Sequence, residues 1–201
     1  MARGGARNSA QRRSWHLTAD QCEQLFKAAD DAFAAGLPFN RFITVLWQRG
    51  GIDPADNAKA TGAFTKRAAD WLRPHGYRLA WAWVQEASRK NGAHVHILLH
   101  VPPALDPLFR ALPLRWAKAI MPGRYVAGIV QCQRIAGART IADNPAYYRA
   151  NLARKLRYML KAATPVAGAQ YGLVRCNEAS EVIGKRLGTW QRRTGKKGQV
   201  D

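Results

Sequence analysis

Acidic residues are scarce in this chain. Among 201 residues, 13 Asp and Glu stand against 32 Lys and Arg, a formal charge of +19. An excess of that size repels itself in the compact state. A polyanionic partner, nucleic acid above all, accounts for it better than a membrane surface or solubility alone. Cysteine is sparse too. Cys22, Cys132 and Cys176 are odd in number and far apart, which argues against a disulfide framework or a zinc knuckle and fits a reducing cytoplasm. No apolar run approaches the roughly 18 residues that a bilayer-spanning helix needs, so no membrane association is expected.

What is present suffices for one substantial domain, with 47% of residues apolar. Residues 1–14 read as a basic N-terminal arm that touches nucleic acid, 15–165 as the folded domain, and 166–201 as a basic C-terminal tail. Thr18 and Gln21 form a capping box that opens a helix ending near Gly36. "FNRFITVLWQR" reads as a strand. Asp53 and Pro54 start a helix reaching Trp71. "YRLAWAWVQEA" and "AHVHILLHV" read as a hairpin joined by the polar turn "SRKNG". "DPLFRALPLRWAKAI" is helical, with Pro113 as a potential break, and "RYVAGIVQCQRI" is a further strand. "NPAYYRANLARKLRYMLKA" is the strongest helix, with Asn144 to cap it and Pro145 in its first turn. This order predicts an α+β fold with a mostly antiparallel sheet and helices packed on it.

The hairpin carries the chemistry. Alternate strand residues face opposite ways, so Val95, Ile97, Leu99 and Val101 form an apolar core face, while His94, His96, Leu98 and His100 occupy the other, which is not expected to be core. A turn centred on Lys90 sets Glu86 opposite His94 and Val84 opposite His96. Glu86, His94 and His96 then offer three ligands to a divalent cation and leave positions open for substrate. Mixed nitrogen and oxygen ligation suits Mn²⁺, Mg²⁺ or Zn²⁺, and Mn²⁺ or Mg²⁺ is the expected cofactor. His100 is expected to be structural or phosphate-contacting. Histidine-triad hydrolases fit poorly because their third slot is Leu98 here. Metal-dependent deubiquitinase-type domains also fit poorly, because Ala104 stands where they place a serine.

The strings "FITVLW", "HVH" and "YMLK", in that order, resemble the three motifs of the HUH endonucleases, closest to rolling-circle replication initiators with one catalytic tyrosine. The resemblance covers roughly residues 39–162, and Glu86 matches an acidic ligand found before the histidines of several initiators. It implies a ferredoxin-like or RNA-recognition-like sheet and a metal-dependent nicking and joining of single-stranded DNA. Tyr158 would attack phosphorus, assisted by Lys161, leaving a 5′-phosphotyrosine and a free 3′-hydroxyl. The substrate implied is single-stranded DNA or a DNA hairpin. No Gly-Lys-Ser/Thr phosphate loop is present, so unwinding would fall to a host helicase or to negative supercoiling. A transposase or relaxase of the same superfamily is the alternative role, and a non-catalytic nucleic-acid-binding domain is the rival from another class.

The last helix bears on the tyrosine from its own periodicity. Tyr148, Leu152, Leu156, Met159, Leu160 and Ala163 make its apolar stripe, and Tyr158 lies off that stripe with Lys161 one turn on. Tyr147, eleven residues before Tyr158, is about 16 Å away along the axis and cannot share its site. Tyr147 and Tyr148 are therefore expected to be core or base-stacking residues.

Overall fold

The β-branched stretch RFITV forms β2 (Arg41–Val45), and the Trp- and His-bearing segments form the long hairpin of β3 (Trp81–Ser88) and β4 (Gly92–Leu99). This computed structural model describes residues 12–123, 125–173 and 180–191. Two further strands, β5 (Val130–Arg134) and β7 (Leu187–Thr189), complete a five-stranded sheet ordered β5-β2-β4-β3-β7, antiparallel at every pairing. A small separate ribbon pairs β1 (Arg13–Ser14) with β6 (Val182–Ile183).

Helix α2 (Asn57–Leu72) connects β2 to β3. The short helices α3 (Asp106–Phe109) and α4 (Leu112–Lys118) connect β4 to β5. With β4 inserted between β2 and β3, these four strands and their crossovers have the split βαβ, ferredoxin-like order. The expected α+β class is borne out. "DPLFRALPLRWAKAI" is divided into two helices, and Pro113 sits in the first turn of the second, where its missing N–H costs no helical bond.

The sheet has a core on each face. Ile43, Val45, Trp83, Val95, Ile97 and Leu99 pack with Phe64 and Ala68 of α2 and with Trp116 of α4. The other face was not expected to be core, and it is one. There Phe42, Ala82, Val84 and Leu98 pack beneath α1 (Ala19–Ala34), α5 (Pro145–Met159) and α6 (Pro165–Gln170). Leu17 and Leu25 from the first of these helices' neighbourhood, and Leu152, Leu156 and Met159 from α5, bury their apolar stripes on it. The physical reason is that Phe42, Val84 and Leu98 on that face are apolar and need cover, which two amphipathic helices supply.

Residues 166–201 were expected to be a basic tail, yet their described part folds into α6, β6 and β7. β3 would otherwise leave a row of unpaired backbone groups at the sheet edge. β7 satisfies them, and Trp190 closes over α1 by donating its indole N–H to the Ala28 carbonyl at 3.2 Å. Gly188 lets the backbone of β7 approach the Trp83 ring so closely that a Cβ would collide with it. The expected basic arm likewise contributes Arg13 and Ser14 to β1. Residues 1–11 and 192–201, and Cys176, lie outside the described residues.

Helix α5 is set by its ends and its stripe. The Asn144 side chain accepts from the Tyr147 N–H at 3.0 Å, and Pro145 fills the first turn. Tyr148 is wholly buried and donates its hydroxyl to the Phe39 carbonyl at 2.8 Å, so it is a core residue. Tyr148→Phe should therefore lower stability by about 1–3 kcal/mol, because the carbonyl is left buried and unsatisfied. Urea unfolding of the two proteins measures this, and an unchanged midpoint would mean that water replaces the lost partner.

Candidate functional site

Glu86 on β3 and His94 on β4 are direct cross-strand partners, and His96 stands two residues further along the same face, opposite Val84. This is the register that the loop length predicts. The Ser88 hydroxyl accepts from the Asn91 N–H at 3.1 Å, and Gly92 takes a positive φ of 65°, which together close the turn.

All three side chains are buried, with Glu86 1%, His94 2% and His96 3% exposed. Glu86 Oε2 lies 3.4 Å from His94 Nε2 and 3.5 Å from His96 Nε2. The three candidate ligand atoms lie within 4.8 Å of one another. Ligands bound at about 2.1 Å around one ion stand about 3.0–3.4 Å apart at right or tetrahedral angles, so these spacings suit a shared cation.

The outer nitrogens are already committed. His94 Nδ1 donates to the Gly92 carbonyl at 2.9 Å, so in the neutral ring Nε2 presents its lone pair inward. His96 Nδ1 pairs with the Thr44 hydroxyl at 2.9 Å. Among the described residues, His96 Nε2 and Glu86 Oε1 find no hydrogen-bond partner. Buried polar atoms left open in this way, on residues whose other atoms are oriented, fit a cation-binding set.

Electrostatics agree with that reading. Burial opposes charge on Glu86, but contact with His94 and His96, together with the charge of Lys161, outweighs it and holds the carboxyl well below its usual range. Burial likewise lowers His96, in favour of the neutral ring that ligation needs, and it lowers His100 too. Arg186, itself buried and lowered to about 10 by desolvation, feels the Glu86 charge from behind. It is held by the carbonyls of Ser14 and Ser180 at 2.7 and 3.1 Å.

A pH dependence follows. Two histidines and one carboxyl all have folded values below their ordinary ones, so the unfolded chain binds more protons, and stability must fall as pH falls. The histidine contribution is complete above pH 6.5, the ordinary value, and is lost below it. The Glu86 contribution is complete above about 4.3 and is lost further down. Melting temperature across pH 8 to 4 without added metal checks this; a flat profile between 7 and 5 would contradict it.

Tyr158, near the end of α5, comes down onto this site although its helix packs on the core. Its ring meets the His96 ring edge-on, at 5.1 Å between centroids, and the Phe42 ring at 6.0 Å. It remains 46% exposed. Lys161 follows the helix end and sets Nζ 2.8 Å from Glu86 Oε2 and 3.2 Å from the Tyr158 hydroxyl. The four expected elements of the site, acid, histidine pair, tyrosine and lysine, are thus brought together.

The other candidates stand elsewhere. His100 donates Nδ1–H to the Pro38 carbonyl at 2.8 Å and does not belong to the ligand group. Tyr147 is exposed, its ring packed over Gly137.

Several residues escaped the sequence reading. Thr44 is one, since its place opposite His96 depends on β2 pairing with β4, which only the strand order reveals. The contact of Lys161 with Glu86 is another, because periodicity speaks only within one helix. A cleft of about 330 Å³ opens beside Tyr158, lined by Phe42, Thr44, Gln131, Gln133, Arg154 and Lys155. Lys155 lies over the Phe42 ring at 4.7 Å and bonds Gln133 at 3.1 Å. Among the described residues, no helix is long and apolar enough to cross a membrane. No family model, no curated protein and no solved structure matches this chain.

Proposed function

We propose that this protein nicks and rejoins single-stranded DNA through a covalent 5′-phosphotyrosine on Tyr158, in the manner of a rolling-circle replication initiator. The observation that carries the reading is the chain of contacts from Tyr158 through Lys161 to Glu86. Two distant parts of the chain, the end of α5 and β3, meet there, with the tyrosine hydroxyl 3.2 Å from an ammonium that is 2.8 Å from the candidate ligand carboxylate. A structural tyrosine has no need of such company.

Glu86, His94 and His96 would hold a divalent cation, with Mn²⁺ or Mg²⁺ suited to the mixed oxygen and nitrogen set. When bound, the cation supplies positive charge to a non-bridging oxygen of the scissile phosphate. The protein's own residues do the rest. The phenolic oxygen of Tyr158 gives up its proton to solvent and forms the bond to phosphorus as the bond to the 3′ oxygen breaks, and that oxygen takes a proton from solvent and leaves as a hydroxyl. Lys161 compensates the negative charge passing through the phenolic and phosphoryl oxygens. The cleft beside Tyr158 gives the strand a course, with Arg154 and Lys155 on its wall for phosphates. Rejoining is the reverse attack by a 3′-hydroxyl.

The test is incubation of the protein with a library of single-stranded oligonucleotides and Mn²⁺, followed by a search for protein–DNA adducts that survive denaturation. An adduct is expected with Mn²⁺ and none with chelator. No adduct with any sequence would leave nucleic-acid binding without chemistry as the better account.

A further inference from the structure

Beside β3, and bounded in part by Glu86 itself, lies a second, smaller cavity of about 160 Å³. Gln48, Asn57, Gln85, Ala93, Glu181 and Val182 contribute to its wall. Gln85 follows the alternation of β3, so it faces away from the metal ligands and toward the α2 side of the sheet. Gln85 and Asn57 are each 1% exposed. Both amide atoms of Gln85, and Oδ1 of Asn57, have no hydrogen-bond partner among the described residues. Gln48 is differently placed, since its Oε1 is taken by the Ala93 N–H at 2.7 Å. Two buried carboxamides with idle donor and acceptor atoms in one cavity are costly to fold unless something there pairs with them.

The chemistry of the wall narrows what that is. No lysine or arginine lines the cavity among the described residues, and Glu86 and Glu181 bring carboxylates, the second paired with Arg13 at 2.7 Å. A phosphate is therefore disfavoured. A carboxamide offers a neighbouring donor and acceptor, which is the pattern that reads the edge of a nucleobase by two hydrogen bonds. Size adds a limit, because a cavity of about 150 Å³ accepts one six-membered ring. A fused purine is too large for it.

We propose that this cavity binds one unstacked pyrimidine base, held at its hydrogen-bonding edge by Gln85 and Asn57. Protein sites that read single strands take splayed-out bases in this way. The source of the base, a strand engaged at Tyr158, rests on the proposed nuclease function. The pairing chemistry does not.

The experiment uses the full chain in chelator, where no cleavage can occur. The side-chain amide signals of Gln85 and Asn57 in a ¹⁵N-labelled sample are assigned with Gln85→Met and Asn57→Leu. Cytidine and thymidine are titrated in one arm, and adenosine serves as the purine control. In the other arm, binding of a single-stranded pyrimidine oligonucleotide is compared with versions carrying one abasic position each. The expected result is that pyrimidines shift both signals and adenosine shifts neither. One abasic position should weaken binding by about tenfold or more, and this loss should vanish in Gln85→Met. Shifts with the nucleosides but no sensitive abasic position would assign the cavity to a free nucleoside instead of a strand. Unmoved signals with nucleosides and oligonucleotide alike would mean that the cavity holds water only, and equal response to adenosine would also overturn the proposal. Because neither arm needs an adduct, failure of the nuclease reading leaves this result intact, and the reverse holds as well.

Discussion

Tyr158→Phe is expected to abolish the covalent DNA adduct while the protein folds and binds DNA as before. The substitution deletes only the phenolic oxygen. That oxygen is bonded to Lys161 at 3.2 Å, and Lys161 retains Glu86 at 2.8 Å, so no buried charge is left alone. The ring keeps its edge-on contacts with His96 and Phe42. With the side chain 46% exposed, stability should change by no more than about 0.5 kcal/mol. Loss of a nucleophile should lower turnover by a factor on the order of 10⁴ or more. Denaturing gels with labelled oligonucleotide, and peptide mapping of any adduct, read the outcome. Tyr147→Phe should keep the adduct, and so should Tyr148→Phe at temperatures where it remains folded. Recovery of DNA on a peptide carrying Tyr147 or Tyr148, with Tyr158→Phe still active, would refute the assignment.

The second large effect concerns the cation. Replacing His94 and His96 together with glutamine removes two ligands while keeping polar atoms and much of the volume. This is gentler than alanine, because the face is buried and His96 supports the Phe42 and Tyr158 rings. Supporting residues around metal ligands are worth about 10–100-fold in affinity, so removing two ligands should cost more than about 100-fold. Thr44→Val takes away only the partner of His96 Nδ1 and should fall within the smaller range. Mn²⁺ titration by calorimetry gives the affinities directly, and the melting temperature should rise with Mn²⁺ in the wild type but not in the double variant. Equal Mn²⁺ affinity in the wild type and the double variant would sink the metal site, whatever became of activity.

How far these residues could be read in advance depended on the range of the interactions involved. The Glu86–His94 pairing was legible because a short turn centred on Lys90 fixes a hairpin register, and register fixes which side chains share a face. Tyr158 could be placed off the core from its helix alone, since the stripe of Tyr148, Leu152 and Leu156 defines the buried side. Contacts between distant elements were not legible. That α1 and α5 would cover the histidine face could not be seen in either helix, because an amphipathic stripe does not say which surface it meets. Leu187 to Thr189 is too short a strand to stand out, and becomes one only against the edge of β3. Arg186 looked like one more basic residue near the C-terminus, yet it is 2% exposed behind Glu86.

The ion pair of Lys161 with Glu86 has a bearing on how the protein is made. A buried carboxylate without a counterion would penalise folding, and a site made only of metal ligands could hold its shape only once loaded. Here the chain carries its own provisional cation. The Lys161 ammonium neutralises Glu86 from within, so the newly made polypeptide can reach its native shape before any metal arrives. Folding would thereby be uncoupled from supply of the proposed cation. Under the proposed function, starvation for the divalent cation would leave folded protein that becomes competent on resupply without new synthesis.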